Sequence, residues 1–163
     1  MNDEQGMKVA LREADKAARK GEVPIGAVAV YQGKVLACAH NIREKTLDPV
    51  GHAEILLLRK AARKLKSWRM PGLEIYVTLE PCLMCLSAMH QARVSRVFFA
   101  APDPKAGACG SVWPMHRDPY FQKMPVIGGV LAPEALRRLQ IFFKKLRTRP
   151  VPGTKRMAGA RHA

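Results

Sequence analysis

The arrangement of strands and helices can be worked out from the stretch Thr78-Leu79-Glu80-Pro81-Cys82-Leu83-Met84-Cys85. A β-rich segment over residues 73–79 ends inside it. A helix running to about residue 91 then begins at Pro81, because proline lacks the N–H group that is unsatisfied in the first turn of a helix. A second helix is predicted over residues 52–64, and it begins with His52-Ala53-Glu54. Residues that can carry chemistry therefore lie at the N-termini of two predicted helices.

Hydrophobic periodicity predicts the other elements. Apolar residues at the i, i+3, i+4, i+7 spacing predict amphipathic helices over residues 3–20 and 133–147. Four further β-rich segments predict strands over residues 25–31, 34–40, 94–100 and 125–130. The resulting order, α-β-β-α-β-α-β-β-α, predicts an α/β fold: a three-layer α/β/α sandwich with a central mixed five-stranded sheet.

The length of 163 residues suits a single domain, which we expect to span residues 1–150. Residues 151–163 are basic and without periodicity, so we expect a disordered tail there. No apolar run approaches the roughly 20 residues that cross a bilayer. The polar start, Met1-Asn2-Asp3-Glu4-Gln5, does not resemble a signal peptide. We therefore expect a cytoplasmic protein, with no membrane partner and with reduced cysteines.

The chain is strongly basic. It has 28 Lys and Arg residues against 13 Asp and Glu residues, a net charge of +15. Nine basic residues and one acidic residue follow position 133, so more than half of the excess lies in the last thirty residues. Such a basic flank favours a phosphate-rich partner. The charge alone fits a solvated helix face followed by a disordered tail equally well.

Four residues predict metal-assisted chemistry. His52, Cys82 and Cys85 offer one imidazole and two thiolates, which are ligands that zinc prefers. Three protein ligands leave a fourth position open to water, and the metal lowers the pKa of that water toward neutrality. Glu54 adds a carboxylate that can act first as a base and then as an acid. The combination is typical of a hydrolase or deaminase.

The Cys-x-x-Cys pair also has simpler interpretations. On its own it is typical of a redox pair or of half a structural zinc ribbon. A ribbon would need another close cysteine pair, whereas Cys38 and Cys109 are each isolated in the sequence. We expect Cys38 to be a small buried residue on a strand. These alternatives are therefore weaker than the open zinc site.

The chain resembles the bacterial tRNA-specific adenosine deaminases. His-x-Glu followed by Pro-Cys-x-x-Cys is the general signature of zinc-dependent nucleobase deaminases. The resemblance extends over roughly residues 5–147, which is most of the chain. The further matching segments are Glu22-Val23-Pro24-Ile25-Gly26-Ala27, Asn41, Asp48-Pro49, Thr78-Leu79-Glu80, Asp103-Pro104-Lys105-Ala106-Gly107-Ala108, Gly128-Gly129-Val130-Leu131 and Phe142-Phe143.

The resemblance implies a cytidine deaminase-like fold and a set of site residues. It implies one Zn²⁺ ion per subunit, held by His52, Cys82 and Cys85, with Glu54 as the catalytic proton carrier. The substrate-binding residues that it implies are Asn41, Val23, Asp103, Lys105 and Phe143.

The implied substrate contacts are of three kinds. Asn41 would hydrogen-bond the flipped base, Asp103 and Lys105 would touch the flanking nucleotides, and Phe143 would line the path of the RNA. From the residues alone, Asn41 could also be a turn residue, and a core position for Phe143 is nearly as well supported as a place on the RNA path.

The implied reaction is hydrolysis of adenosine to inosine at the wobble position of a tRNA anticodon loop, in an arginine tRNA, by a homodimer. A second hypothesis is deamination of a free nucleobase or nucleoside of the guanine or cytosine type. The net charge of +15 argues against it, because a small neutral substrate needs no such field. A third hypothesis is a non-catalytic RNA-binding subunit, which would be expected to have lost the acid. Glu54 is present.

Overall fold

The computed structural model describes residues 1–148, and it contains a five-stranded sheet between two layers of helices. The predicted tail, residues 151–163, lies outside the described residues. The elements are α1 (Asp3–Arg19), β1 (Gly26–Tyr31), β2 (Lys34–His40), α2 (Arg43–Thr46), α3 (Ala53–Leu65), β3 (Leu73–Leu79), α4 (Leu83–Gln91), β4 (Arg96–Ala101), a 3₁₀ turn (Met115–Arg117), β5 (Val126–Ile127) and α5 (Ala132–Thr148).

The sheet is mixed, as predicted. Its strand order is β2-β1-β3-β4-β5. β1 runs antiparallel to both β2 and β3, whereas β3, β4 and β5 run parallel to one another. The carboxyl ends of β3 and β4 therefore meet at one edge of the sheet, the usual location of a ligand site in α/β folds.

Alternating side chains of β1 separate the two apolar layers. Val28 and Val30 pack with residues of α1 and α5 on one face of the sheet. Ala27 and Ala29 pack with residues of α3 and α4 on the other face. A Cβ atom on Gly26 would lie 2.2 Å from the carbonyl oxygen of Ala10. Only glycine therefore lets α1 approach the start of β1 so closely.

Four local features differ from the sequence prediction. α4 begins at Leu83 with Cys82 as its N-cap, so Pro81 precedes the helix instead of lying in its first turn. α2 lies inside the predicted loop 41–51, and the 3₁₀ turn also lies in a region without predicted structure. β5 has two residues instead of six: the paired strand ends at Ile127, and within the predicted segment Gly129 takes a positive φ of 91° that extended backbone does not adopt. No helix within residues 1–148 combines the length and apolar character that crossing a membrane requires.

Candidate active site

A cavity of about 780 Å³ opens at the carboxyl ends of β3 and β4. Residues from six separate parts of the described chain meet there. Of the nine residues predicted from the sequence, the cavity lining contains eight: Val23, Asn41, His52, Glu54, Cys82, Asp103, Lys105 and Phe143. The ninth, Cys85, is fully buried on α4 and hydrogen-bonds with His52.

His52 and Cys82 lie at the N-termini of two helices, as predicted, and their side chains face one another. His52 is the N-cap of α3 and Cys82 is the N-cap of α4, both with extended backbone. Neither side chain makes a capping bond to its own helix. Both side chains are thus free to act elsewhere. The positive ends of the helix dipoles favour thiolates and carboxylates at this location.

The donor atoms of His52, Cys82 and Cys85 fit a zinc ion. The Nδ1 atom of His52 lies 3.8 Å from the Sγ atom of Cys82 and 3.5 Å from that of Cys85. The three donor atoms all lie within 4.8 Å of one another. Zn–S bonds of about 2.3 Å and Zn–N bonds of about 2.0–2.1 Å at tetrahedral angles separate nitrogen from sulfur by about 3.6 Å.

The two thiols also favour a cation electrostatically. A hydrogen bond with Cys85, together with one to His52, lowers the pKa of Cys82 to about 4. The hydrogen bond with Cys82, together with burial, raises the pKa of Cys85 above its ordinary value. One thiol therefore ionises readily, but the second does not ionise beside the first thiolate. A divalent metal between them removes this penalty and lets both act as ligands.

Glu54 lies in the first turn of α3, on the lining of the same cavity. Its side chain is only 4% exposed. Burial, reinforced by the nearby charge of Cys82, raises the pKa of Glu54 to about 7. A carboxyl group thus lies next to the metal-binding group, and it faces the space that a substrate would occupy.

Asn41 both shapes the turn after β2 and lines the cavity. Its Oδ1 atom accepts a hydrogen bond of 3.1 Å from the N–H group of Ala53, at the start of α3. Because that partner is a donor, the side-chain oxygen is the bonded atom and the NH₂ group is left for a ligand. Asn41 can therefore position α3 and donate to a base at the same time.

The outer part of the cavity lining carries aromatic and basic groups from α5. Phe143 is 37% exposed and lines the cavity, so it does not lie in the core. The Nζ atom of Lys105 lies 6.0 Å from the centre of its ring. Lys144 and Arg147 also line the cavity. The combination of an aromatic face with cations suits a nucleotide and its phosphates.

Two buried glutamates that sequence reasoning did not assign hold the walls of the cavity. The Glu22 carboxylate accepts hydrogen bonds from the N–H groups of Glu44 and Lys45, at 3.1 and 2.7 Å, and so fixes α2. The Glu80 carboxylate binds the loop that follows β4 in the same way. Both glutamates occur in the segments that carried the resemblance. The spacing of residues in the sequence does not indicate which backbone N–H groups Glu22 and Glu80 bind, because those groups are distant along the chain.

Comparisons with known proteins agree with this chemistry. The family model described as MafB19-like deaminase matches residues 1–147. A "tRNA-specific adenosine deaminase" from Bacillus subtilis is 43% identical over 157 residues, which are 96% of this chain and 98% of the relative. The chain belongs to the family of the tRNA-specific adenosine deaminases. It is therefore an enzyme, and the cofactor of the family is zinc.

Solved structures extend the comparison to the fold. A chain from a study of A-to-I editing by tRNA:A34 deaminases at the wobble position is 40% identical, with a TM-score of 0.78. The match covers 83% of our deaminase and 99% of that chain. A guanine deaminase from Bacillus subtilis is 36% identical, with a TM-score of 0.62, over 68% of our deaminase and 71% of that chain. The cytidine deaminase-like α/β/α sandwich is thereby confirmed.

Proposed function

We propose that this deaminase hydrolyses adenosine to inosine at wobble position 34 of a tRNA anticodon loop. The observation that carries the proposal is the match along 98% of a relative named tRNA-specific adenosine deaminase. The structure related to tRNA:A34 deaminases supports it, because 99% of that chain is matched. We further propose that residues 1–150 form the deaminase domain, and that the enzyme works in the cytoplasm without a membrane partner.

The proposed mechanism assigns the proton transfers to Glu54. His52, Cys82 and Cys85 would hold the zinc ion, which lowers the pKa of water and so supplies a nucleophile near neutral pH. Glu54 would accept the proton that this water loses as its oxygen bonds to carbon 6 of adenine. The same carboxyl would give that proton to N1 of the ring, then take the remaining proton of the new hydroxyl on carbon 6 and give it to the departing amino group. Adenosine and water thus give inosine and ammonia.

The remaining cavity residues would recognise the RNA. The free NH₂ group of Asn41 would donate to the flipped base, and the side chain of Val23 would contact it. Asp103 and Lys105 would contact the neighbouring nucleotides, and Phe143 would offer a stacking face. A single-stranded anticodon loop suits such a cavity, since extruding a base from a loop costs little.

A panel of substrates tests the proposal. The zinc-loaded enzyme would be incubated with an arginine tRNA anticodon stem-loop carrying A34, with a stem-loop carrying adenosine one position away, and with free adenosine, cytosine and guanine. We expect inosine at position 34 and much slower release of ammonia from the other substrates. Release from free guanine with no inosine in RNA would instead support the second candidate, which the 36% identity to a guanine deaminase favours.

We also propose that the enzyme is a homodimer. Leu83 and Met84 are exposed apolar residues in the first turn of α4, directly beside Cys82. Trp113 is also exposed. It lies near Cys82, because its backbone N–H group bonds the carbonyl oxygen of Gly107, and Gly107 pairs with Cys82. Pairing of this surface with a second copy would cover it. Light scattering of the wild type should give twice the chain mass of 18.1 kDa. The M84E variant should have a lower mass, closer to that of a single chain.

A further inference from the structure

Glu80 sits at the centre of a hydrogen-bonded loop. It follows β3 directly, and its side chain is only 2% exposed. One carboxylate oxygen, Oε1, accepts from the N–H groups of Cys109 and Ser111 at 2.8 and 3.1 Å. The other, Oε2, accepts from the N–H group of Asp103 at 3.0 Å and from the Ser111 hydroxyl. All four donors belong to residues 102–111, which we call the Asp103 loop.

The Asp103 loop is folded around this carboxylate. Its bonds to Glu80 come from near both ends of the loop, so the carboxylate closes the loop into a ring. Inside the ring, the N–H group of Gly107 bonds the carbonyl oxygen of Asp103 at 3.0 Å. A Cβ atom on Gly107 would lie 2.4 Å from Cδ of Glu80. The backbone of the loop thus approaches the carboxylate as closely as glycine allows.

The same bonds fix the two residues of the loop that face the cavity. Glu80 holds the backbone N–H group of Asp103, and the Asp103 side chain in turn accepts from the N–H group of Lys105 at 2.9 Å. Asp103 and Lys105 both line the cavity. Their placement therefore depends on a chain of contacts that starts at Glu80.

Only a carboxylate can accept all four donors. It offers two acceptor oxygens, whereas a glutamine amide offers one and presents N–H groups on the other side. The Asp103 loop has no helix or strand of its own to hold its shape. The N–H group of Ala108 bonds the carbonyl oxygen of Pro81 at 2.9 Å, which holds the far part of the loop. Without the carboxylate, the segment around Asp103 would be held less tightly, and ordering it when RNA binds would weaken the affinity.

We propose that Glu80 is a positioning residue for RNA recognition, which holds the Asp103 loop in the conformation that presents Asp103 and Lys105 to the nucleotides beside the target base. The inference rests on the proposed function. Glu80 acts through the backbone of the loop, because both of its oxygens are already bonded there.

The first test compares kinetics of E80Q and wild type on the anticodon stem-loop. We expect KM to rise by about tenfold or more, which corresponds to the loss of a charge-assisted hydrogen bond, while kcat falls by less. Zinc content should stay at the wild-type level. The rise in KM should shrink in a background that already carries D103A and K105A, because both changes act on the same contacts. An equal rise in both backgrounds would contradict the proposal.

The second test needs no RNA. Amide hydrogen exchange at Asp103, Cys109 and Ser111 should accelerate by about tenfold or more in E80Q. The matched control E22Q removes the other buried glutamate, and it should accelerate exchange at Glu44 and Lys45 instead. If E80Q does not fold, S111A can replace it, because it removes only the hydroxyl donor to Glu80. It should accelerate exchange at the same amides by a smaller factor. Unchanged exchange in the Asp103 loop would overturn the proposal, whereas absence of inosine in wild type would overturn the proposed function instead.

Discussion

Cys82 and Cys85 are three residues apart, but their surroundings differ. Cys82 precedes α4 and lines the cavity, whereas Cys85 lies inside the helix and is fully buried. The hydrogen bond with Cys82, together with burial, raises the pKa of Cys85, so its thiolate depends on a cation nearby. Cys85 would therefore hold the metal from the buried side of the site, and Cys82 would hold it from the cavity side.

Replacement of Cys85 tests the ligand set. C85S should lower the zinc affinity at least about tenfold, because a serine hydroxyl is a much poorer zinc ligand than a thiolate. Zinc per chain, measured by mass spectrometry after dialysis against a weak chelator, checks it. The matched control is C38S, a half-buried cysteine on β2 outside the cavity, which should keep its zinc. An equal zinc content in C85S and C38S would show that Cys85 is not a zinc ligand.

At the scale of elements, α1 is linked to the edge strand β2 by a partly buried ionic cluster. The Glu13 carboxylate accepts from Nζ of Lys16 at 2.6 Å and lies 3.1 Å from Nδ1 of His40. Nζ of Lys20 lies 3.0 Å from the other ring nitrogen of His40, and Cys38 also faces the cluster. Burial raises the pKa of Glu13, but Lys16 and His40 outweigh burial and lower it below 4.5.

This shift predicts how stability depends on pH. Because the pKa is lower in the folded state, the unfolded chain binds more protons in acid. The stabilisation is therefore present above about pH 4.5, and it is lost as the pH falls through the folded value. Urea unfolding should show E13Q to be less stable than wild type at about pH 6. The difference in free energy of unfolding should narrow as the pH falls below 4.5.

The control for this prediction is on the same helix. Glu4 is exposed and pairs with Lys8 at 3.6 Å, so E4Q should change the free energy of unfolding by less than about 0.5 kcal/mol throughout. A gap between wild type and E13Q that stays constant with pH would mean that Glu13 titrates as it does in the unfolded chain.

The long elements could be predicted from the sequence, because each spans several periods of its apolar pattern. α2 could not be predicted, since its four residues are too few to show a helical period. It depends on the Glu22 carboxylate, which lies 22 and 23 positions before the two N–H groups that it binds. β5 was predicted too long, because the predicted strand ran on through Gly128 and Gly129, and Gly129 takes a positive φ that a strand does not adopt. The donor triad followed from residue type and spacing. The role of Glu80 did not, because its partners lie 23 to 31 positions away.

At the scale of the whole molecule, the chain carries a net charge of +15, and three of its cations lie together on the cavity lining. Lys105 from the Asp103 loop and Lys144 and Arg147 from α5 line the cavity together. Cations grouped in this way attract the phosphates of a single-stranded loop and release its counterions. Another basic residue of α5, Arg138, is used differently: it forms an ion pair with Asp15 of α1.

The salt dependence of binding tests this distribution of charge. Removal of two phosphate contacts by K144A with R147A should reduce the slope of log affinity against log salt by roughly 1.4. Fluorescence anisotropy of a labelled stem-loop across a series of salt concentrations measures the slope. The control is R63A, an exposed arginine on α3 away from the cavity, whose slope should match wild type. Equal slopes for all three proteins would place the RNA elsewhere.

The most direct measurement is the rate of inosine formation at position 34 in a single turnover, with zinc-loaded wild type and E54Q. The two proteins should contain equal zinc, because Glu54 lies beside the donor triad without belonging to it. We expect E54Q to be slower by about 10²–10⁴-fold, the usual contribution of a general acid–base group. Equal rates in the two proteins, or an adenosine at position 34 that wild type leaves unchanged, would contradict the assignment.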